Sequence, residues 1–382
     1  MTIPFNKPFI SGNELKYIEL AVQSGKISGD GMYTKKCHSF FLENYGFKQC
    51  LLTTSCTDAL EMSAILLDIQ PGDEVIMPSF TFVSTANAFE LRGAKIIFAD
   101  SRPDHPGMDE TKLESLITKK TKAIVVVHYA GVATDMDLIM NLANANGIFV
   151  VEDAAHCIDS FYKNRSLGSI GHLAAFSFHE TKNIQCGEGG MLVINDEQFF
   201  PRAEIIREKG TNRSSFFRGE VDKYGWVDIG SSFLPSEIIA AFLFGQLENL
   251  RQIQDKRKQL WNVYNDAFKN SEFSTNLQLP YIPDFATQNG HMYYVVTRNL
   301  KERQHIIDCL KKEGIYAAFH YQSLHQSTYF KHKHDDRKLD WSDYYTDTLL
   351  RLPLYFELET AQAAEIAQLV INATKDFNNS IG

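Results

Sequence analysis

Ile148-Phe149-Val150-Val151-Glu152-Asp153 is the stretch that decides the fold. It is a short apolar run that ends in an acid, as a buried strand of a parallel sheet often does. A second run, Ala174-Ala175-Phe176-Ser177-Phe178, leads to Lys182 and then to the glycine cluster Gly187-Glu188-Gly189-Gly190. Because α/β enzymes place their chemistry where parallel strands end, Asp153 and Lys182 are predicted to face one site.

Similar apolar runs alternate with helix-like stretches from about residue 50 to residue 200. This βαβ rhythm predicts a mostly parallel sheet with helices on both faces. The predicted helices include Thr57–Leu67 and Asp135–Asn146. The predicted strands are Glu74–Met77, Lys95–Phe98, Ala123–Val127, Ile148–Glu152, Ala174–Phe178 and Met191–Ile194.

The C-terminal part of the chain has a different pattern. A long amphipathic stretch from about Ser236 to Phe268 precedes elements that predict a smaller α+β unit. We therefore expect a large α/β domain over residues 1–245 and a small α+β domain over residues 246–382. The predicted elements of the small domain are strands His291–Thr297 and Tyr316–His320, helix Lys301–Lys312, and a last helix, Ala361–Phe377, capped by Thr360.

Composition and charge exclude several classes of protein. With 44% hydrophobic and 22% charged residues the chain is typical of a globular protein, and its net charge of -9 argues against a general nucleic-acid binder. The six cysteines show no metal-finger spacing and are interpreted as reduced thiols. No secretory leader or membrane-spanning run is evident, so a cytoplasmic location is predicted. The segment His332-Lys333-His334-Asp335-Asp336 is interpreted as a solvated loop rather than a metal site.

A carboxylate held near an amine suits one cofactor in particular. Pyridoxal phosphate (PLP) needs an amine to form its Schiff base and a carboxylate to keep its pyridine nitrogen protonated. Taken singly, however, a lysine after a strand is usually a solvated loop residue, and a strand-end aspartate is often a helix cap. A dinucleotide dehydrogenase is disfavoured because no GxGxxG follows a first strand with an acid about twenty residues on. A non-catalytic scaffold would not need both Asp153 and Lys182.

The chain resembles the DegT/StrS family of PLP-dependent sugar-nucleotide aminotransferases in a set of short motifs. The resemblance implies an aspartate aminotransferase-like fold (PLP fold type I), with Lys182 as the Schiff-base lysine and Asp153 as the partner of the pyridine nitrogen. Some members are dehydratases that carry histidine in place of this lysine, so Lys182 argues against that activity. The motifs are Asp153-Ala154-Ala155-His156, Phe176-Ser177-Phe178-His179, Lys182-Asn183 and Gly187-Glu188-Gly189-Gly190.

The turn Thr53-Thr54-Ser55-Cys56-Thr57-Asp58-Ala59-Leu60 is predicted at a strand-to-helix junction. Backbone amides and the helix dipole suit a phosphate at such a place, although a plain helix N-cap is the alternative. The family carries a glycine at the position of Cys56, which is a departure. The resemblance implies that PLP contacts Thr57, the Asp58 amide, Phe82 through ring stacking, His156 through its hydroxyl, Ser177, and Ser232 of the neighbouring subunit.

The resemblance also implies a substrate. Stretches such as Gly72–Ser79 and Ile206–Ser214 are closest to the members that make dTDP-4-amino-4,6-dideoxygalactose. A homodimer or larger dimer-based oligomer would then transfer an amino group from glutamate to C4 of dTDP-4-keto-6-deoxyglucose, with the gluco epimer or another keto sugar nucleotide as alternatives. Arg213 and Arg218 either bind a diphosphate through charge-assisted bonds or form surface ion pairs. The implied substrate contacts are Gly29, Arg213, Arg218, His320 and His325.

Overall fold

A central seven-stranded sheet forms the larger part of the molecule. The computed structural model describes residues 2–271 and 277–381. A short hairpin, formed by β6 and β7, lies between two strands of the large sheet. The first nine strands are β1 (Gln49–Thr53), β2 (Glu74–Pro78), β3 (Lys95–Ala99), β4 (Thr121–Val127), β5 (Phe149–Asp153), β6 (Phe161–Tyr162), β7 (Arg165–Ser166), β8 (Leu173–Ser177) and β9 (Gly190–Ile194).

The large sheet has the strand order β1-β9-β8-β5-β4-β2-β3. Neighbouring strands from β8 to β3 are parallel, whereas β9 runs antiparallel to both β1 and β8. In the register of the parallel strands, Asp153 at the end of β5 lies beside Val127 of β4 and Ala175 of β8. The predicted mostly parallel α/β sheet is therefore confirmed.

Helices cover both faces of this sheet. Val125 and Val126 of β4 point to opposite faces and are both fully buried, which explains why the strands are continuous apolar runs rather than alternating ones. The α-helices are α1 (Glu14–Gln23), α2 (Met32–Tyr45), α3 (Cys56–Leu66), α4 (Val83–Glu90), α5 (Met136–Asn146), α6 (Phe200–Arg207), α7 (Arg213–Phe217), α8 (Glu237–Leu247), α9 (Leu250–Lys269), α10 (Leu300–Lys312), α11 (Asp340–Thr348) and α12 (Thr360–Ile381), with 3₁₀ turns at Glu110–Leu116, Tyr129–Gly131, Glu197–Phe199 and Leu324–Gln326.

The C-terminal part contains a small antiparallel sheet of three strands, β10 (Tyr293–Val296), β12 (Leu349–Leu352) and β11 (Ala318–Phe319), in that order. One face of this sheet packs on α9, α10 and α12. The other face turns toward the large sheet, where Tyr294 and Leu349 share a cluster with Phe80 and Tyr129. In a strand, alternate residues share a face, so Arg351 lies on the same side as Leu349.

Three predicted elements differ from the structure. The stretch Ser236–Phe268 is two helices, because the chain breaks between α8 and α9. The predicted strand Tyr316–His320 is reduced to β11, since only Ala318 and Phe319 pair with β12. Helix α12 begins at Thr360 rather than after it. The domain boundary near residue 245 stays a prediction. Among the described residues, no helix is long and apolar enough to cross a bilayer.

Candidate active site

A cavity of about 380 Å³ opens where β4, β5 and β8 end and α3 begins. Parallel α/β sheets place ligand sites at this edge, as the sequence predicted. The cavity contains both Asp153 and Lys182. Its lining also includes Ser55, Cys56, Thr57, Phe82, His156, Ser177, His320 and Tyr321.

Lys182 is carried by the loop that joins β8 to β9. The neck of this loop is closed by backbone hydrogen bonds, from Phe178 N–H to the Gly189 carbonyl (2.8 Å) and from Cys186 N–H to the Phe178 carbonyl (2.8 Å). A further bond joins Lys182 N–H to the His179 carbonyl (2.9 Å). The lysine therefore extends into the cavity from a fixed backbone rather than from a mobile surface loop.

The amine of Lys182 lies in an unusual electrostatic environment. Burial lowers its pKa to about 8, although the neighbouring Cys56 and Asp153 act in the opposite direction. Among the described residues, none forms a hydrogen bond or ion pair with Nζ. A substantial neutral fraction at neutral to slightly alkaline pH is what a Schiff-base nucleophile or a general base needs.

Asp153 is a buried carboxylate with few hydrogen-bond donors. Thr85 Oγ1 donates to Oδ2 (2.7 Å) and the Ala155 amide donates to Oδ1 (3.3 Å). Burial raises the pKa of Asp153 despite these bonds, because two donors compensate only part of the lost hydration. A cationic N–H placed in the cavity would form a charge-assisted bond with this acid.

The predicted phosphate turn lies at the N-terminus of α3. The Ser55 hydroxyl caps the helix by accepting from the Asp58 amide (3.0 Å), so that amide, predicted to contact the phosphate, already has a partner here. The amides of Cys56 and Thr57, in the first turn, have no intrahelical acceptor. The Thr57 hydroxyl donates to Ser84 Oγ (2.8 Å). A Cβ on Gly190 would lie 2.3 Å from the Ser55 carbonyl carbon, so only glycine fits beneath the turn.

Aromatic side chains form the opposite wall of the cavity. Phe82 is 55% exposed and lies 6.2 Å, between ring centroids, from Tyr321. His156 stacks on His291 at 4.2 Å and accepts a bond from the Ala130 amide (3.3 Å). Burial lowers the pKa of His156 well below its usual range, so the ring is neutral; because Nδ1 accepts from Ala130, its Nε2 carries the proton and can donate one hydrogen bond.

Six predicted site residues lie outside this cavity, counting Asp58, whose amide bonds the Ser55 cap. Gly29 packs against Leu234 and Pro235, and Ser232 is exposed and bridges to Glu208. His325 is buried, with Nδ1 bonded to Ser79 Oγ (2.7 Å) and Nε2 3.5 Å from Asp343. The remaining two are Arg213, 3.9 Å from Glu208, and Arg218, which pairs with Glu204 (2.9 Å) and Glu220 (2.7 Å).

Several residues of the site were missed by sequence reasoning. Ser84 and Thr85, which bond Thr57 and Asp153, follow Phe82 in the first turn of α4, and their adjacent hydroxyls were the available signal. Tyr321, which follows His320 in the chain and lines the cavity, was assigned no role from the sequence. His291 gave no signal, because its stacking on His156 joins residues far apart in the chain.

The cavity matches PLP at both ends of the cofactor. Unpaired amides and the hydroxyls of Thr57 and Ser177 lie at the helix N-terminus, where a phosphate is stabilised. The buried carboxylate of Asp153 is the natural partner of a pyridinium. The donor set around Lys182 therefore fits this cofactor.

Comparison with known proteins gives the same result. The model of the DegT/DnrJ/EryC1/StrS aminotransferase family matches residues 8–371. Spore coat polysaccharide biosynthesis protein SpsC of Bacillus subtilis (strain 168) is 31% identical over 383 residues, which cover 98% of this chain and 97% of that protein. The PLP form of the putative sugar aminotransferase Spr1654 of Streptococcus pneumoniae is 26% identical with a TM-score of 0.89, over 98% of this chain and 99% of that chain. The PMP (pyridoxamine phosphate) form of Spr1654 is 25% identical with a TM-score of 0.91, over 100% of this chain and 100% of that chain.

A third solved structure extends the likeness. Aminotransferase TlmJ of Streptoalloteichus hindustanus is 26% identical with a TM-score of 0.90, over 99% of this chain and 100% of that chain. The family match spans most of the chain and includes the cavity with Asp153 and Lys182. The chain is thus a PLP-dependent sugar aminotransferase, and it belongs to the DegT/DnrJ/EryC1/StrS aminotransferase family.

Proposed function

We propose that this aminotransferase moves an amino group from glutamate to C4 of dTDP-4-keto-6-deoxy-D-glucose, giving dTDP-4-amino-4,6-dideoxy-D-galactose for a cell-surface polysaccharide. The observation that carries the chemistry is the shared cavity of Lys182 and Asp153. The choice of sugar rests on the resemblance of segments such as Ile206–Ser214. It is supported by the relative SpsC, which is named for polysaccharide biosynthesis.

Lys182 has two tasks in this proposal. Its amine holds the cofactor in the resting enzyme, and its release leaves a base inside the cavity. That base moves a proton from the α-carbon of the donor to the cofactor, and the same transfer runs in reverse at C4 of the sugar. The lowered pKa of the amine, about 8, suits a group that must both accept and return a proton near neutral pH.

The other cavity residues position the cofactor, which when bound supplies an electron sink for the carbon that loses its proton. Asp153 would hold the proton on the ring nitrogen. Thr57, Ser177 and the amides of Cys56 and Thr57 would bind the phosphate, and Phe82 would pack on the ring. His156, neutral because it is buried, would hydrogen-bond the ring hydroxyl.

We further propose a homodimer in which residues 213–232 of one chain reach the partner's site. This segment exposes Trp226 (85%), Phe217 (70%) and Tyr224 (53%) within one chain. Such an apolar surface is typical of an interface. The dimer would also explain why Arg213, Arg218 and Ser232 lie outside the cavity of their own chain.

A substrate panel tests the proposal. The holoenzyme would be incubated with glutamate and 4-keto or 3-keto sugar nucleotides, and the products identified by mass and NMR. Amination at C4 of the dTDP sugar with an axial amine is expected. Formation of the equatorial amine would replace the galacto product by its gluco epimer. Amination of the 3-keto isomer with the 4-keto sugar left untouched would overturn the proposal.

A further inference from the structure

His291 is a buried residue just before β10 that contacts two parts of the active site. Its ring stacks on that of His156, with 4.2 Å between the ring centroids and 22° between the planes. Its Nδ1 lies 2.8 Å from Oδ1 of Asn183, the residue that follows Lys182. Neither His291 nor Asn183 lines the cavity itself, so any effect that they have on the reaction is indirect.

The hydrogen bonds of Asn183 determine where His291 carries its proton. Asn183 Nδ2 donates to Gln254 Oε1 (2.8 Å) and to the Asn289 carbonyl (3.0 Å), so both amide protons are used and Oδ1 is the acceptor. His291 Nδ1 therefore carries a proton and donates it to Asn183 Oδ1. Burial lowers the pKa of His291 well below its usual range, so the ring is neutral and has this single N–H. Turning the ring over would lose the bond, so one orientation of the ring is favoured.

The backbone beside the two stacked rings is fixed by Asn289. Asn289 Nδ2 donates to the carbonyls of His156 and Ile158, at 2.7 Å in each case. Asn289 Oδ1 accepts from the His291 amide (3.0 Å). The stacked histidines therefore lie on a buried polar frame that joins the small sheet to the loops that follow β5 and β8.

The imidazole of His156 depends on this support. Its Nδ1 accepts one long hydrogen bond, from the Ala130 amide (3.3 Å), and a single bond of that length restrains rotation about Cβ–Cγ only weakly. The rings of Tyr129 and His320 lie farther away, at 6.1 and 6.3 Å between centroids. The ring of His291, stacked at 4.2 Å, resists the rotation because the turning edge of His156 would collide with it.

We infer that His291 is a positioning residue for the cofactor site: it holds the imidazole of His156 in the plane that directs Nε2–H toward the cofactor's ring hydroxyl, and Asn183 sets the tautomer and plane of His291 itself. The inference rests on the proposed contact between His156 and that hydroxyl. Because Asn183 follows Lys182 in the chain, the same hydrogen bond links the loop of the lysine to the histidine pair.

The expected consequence is a change in the acidity of the bound cofactor. In a PLP Schiff base the negative ring oxygen lies next to the imine nitrogen and stabilises its protonated form. A hydrogen bond donated by His156 withdraws part of that negative charge and so lowers the pKa of the imine. When His156 is misaligned the bond is weaker, and the imine keeps its proton to a higher pH.

The test is an absorbance titration of the holoenzyme without substrates, because the visible band of the cofactor reports the imine proton. His291→Leu removes the stacked ring and the Nδ1–H, whereas His291→Phe keeps a flat ring and removes the N–H. Asn183→Ala removes the acceptor and leaves the stacked ring in place. His156→Phe measures the full effect of losing the donor. His332→Phe, which changes an exposed histidine, is the matched control.

For His156→Phe we expect the midpoint of the titration to rise by roughly one pH unit, as for the loss of one hydrogen bond to a charged group. His291→Leu should give at least half of that rise, and it should weaken PLP binding, followed by intrinsic fluorescence, by roughly 3- to 10-fold. His291→Phe should give a smaller rise, since a ring still stacks on His156. The control should titrate and bind PLP as the wild type does.

Thermal unfolding of the apoenzymes separates positioning from stability. Asn183→Ala leaves several buried polar groups unpaired, so it should destabilise the apoenzyme at least as much as His291→Leu. Its titration should nevertheless shift less, because the stacked ring remains. If His291→Leu does not fold, His291→Asn, which also lacks a ring but retains an N–H donor, takes its place with the same expected rise.

The possible failures are distinguishable. A wild-type midpoint and wild-type PLP affinity in His291→Leu, with His156→Phe shifted, would overturn the inference and leave the proposed cofactor contact intact. Shifts that follow the loss of thermal stability rather than the loss of the stacked ring would assign His291 a purely structural role, which also overturns it. If His156→Phe itself titrates as the wild type, the proposed contact with the ring hydroxyl is wrong and the positioning role fails with it.

Discussion

Two regions of the molecule differ in whether their residues come together within one chain. One is the cavity wall at the edge of the large sheet, and the other is the exposed segment of residues 213–232. Asp153, Lys182 and Thr57 lie in one cavity and are held by strand ends, a helix cap and a closed loop. Arg218 and Trp226 lie on the outer surface of the same chain. The difference teaches that one chain is enough to bring the residues of amino transfer together, whereas in the proposed dimer the exposed segment would act on the partner's site.

Replacement of Lys182 is the strongest test of the cavity as the reaction centre. Lys182→Ala removes both the nucleophile and the base, so turnover should fall by roughly 10³- to 10⁴-fold or more. Borohydride treatment of the wild type, followed by peptide mapping, should place the cofactor on Lys182. Recovery of the label on another lysine would contradict the assignment.

Replacement of Asp153 should produce the next largest effect. Asp153→Asn keeps the shape of the side chain but removes the charge that holds the ring proton. Turnover should fall by roughly 10²- to 10³-fold, in the range found for preorganised electrostatic groups. Cofactor content, measured by absorbance, serves as the control. Wild-type turnover with full cofactor content would rule out this role.

The pH dependence of cofactor uptake tests the electrostatic environment of Lys182. The neutral amine attacks PLP, and its pKa of about 8 lies below the ordinary lysine value of 10.5. Uptake by the apoenzyme should therefore rise about tenfold per pH unit up to about pH 8 and then level off. A rate that keeps rising toward pH 10 would show an ordinary lysine instead.

A negative charge introduced into the exposed segment 213–232 tests whether this segment forms the proposed dimer interface. Trp226→Asp should shift the sedimenting species from dimer to monomer and lower activity by about tenfold, because the interface loses its apolar contact. Leu300→Asp, which alters an exposed leucine at the start of α10, is the matched control and should sediment as the wild type. A fully active wild-type monomer would refute the proposed assembly.

The smallest effect is expected at Thr85. Thr85→Val removes the 2.7 Å bond to Asp153 and should raise the pKa of this acid further, because that bond favours the charged form. Without cofactor, the carboxylate of the variant should titrate at higher pH than in the wild type, as followed by infrared spectroscopy. Turnover should fall by about tenfold or less. An unchanged titration would show that Thr85 does not tune Asp153.

Sequence patterns predicted the parts of the molecule that local chemistry determines. The runs ending at Asp153 and Ser177 are apolar on both faces and have the length of strands, so their place in a parallel sheet could be read directly. The break between α8 and α9 was missed, since hydrophobic residues continue across Glu248 and Asn249.

Sequence patterns could not predict the features that depend on contacts between residues far apart in the chain. Arg351 occurs in Leu349-Leu350-Arg351-Leu352, where an arginine between leucines normally points to solvent. Only the packing of the small sheet against the large one shows that Arg351 is half-buried and that its Nε is buried without a hydrogen-bond partner. Likewise, the stacking of His291 on His156 depends on how the two sheets meet.

The antiparallel strand β9 has a consequence for biosynthesis. Strand β1, which leads into the phosphate turn, pairs in the sheet with β9, and these strands are far apart in the chain. On the ribosome β1 must wait with an open edge until β9 has emerged, and such distant pairings make folding slow. The phosphate turn therefore gains its supporting strand only after Ile194, near the middle of the chain, has been synthesised, and the cofactor site cannot be complete before that point.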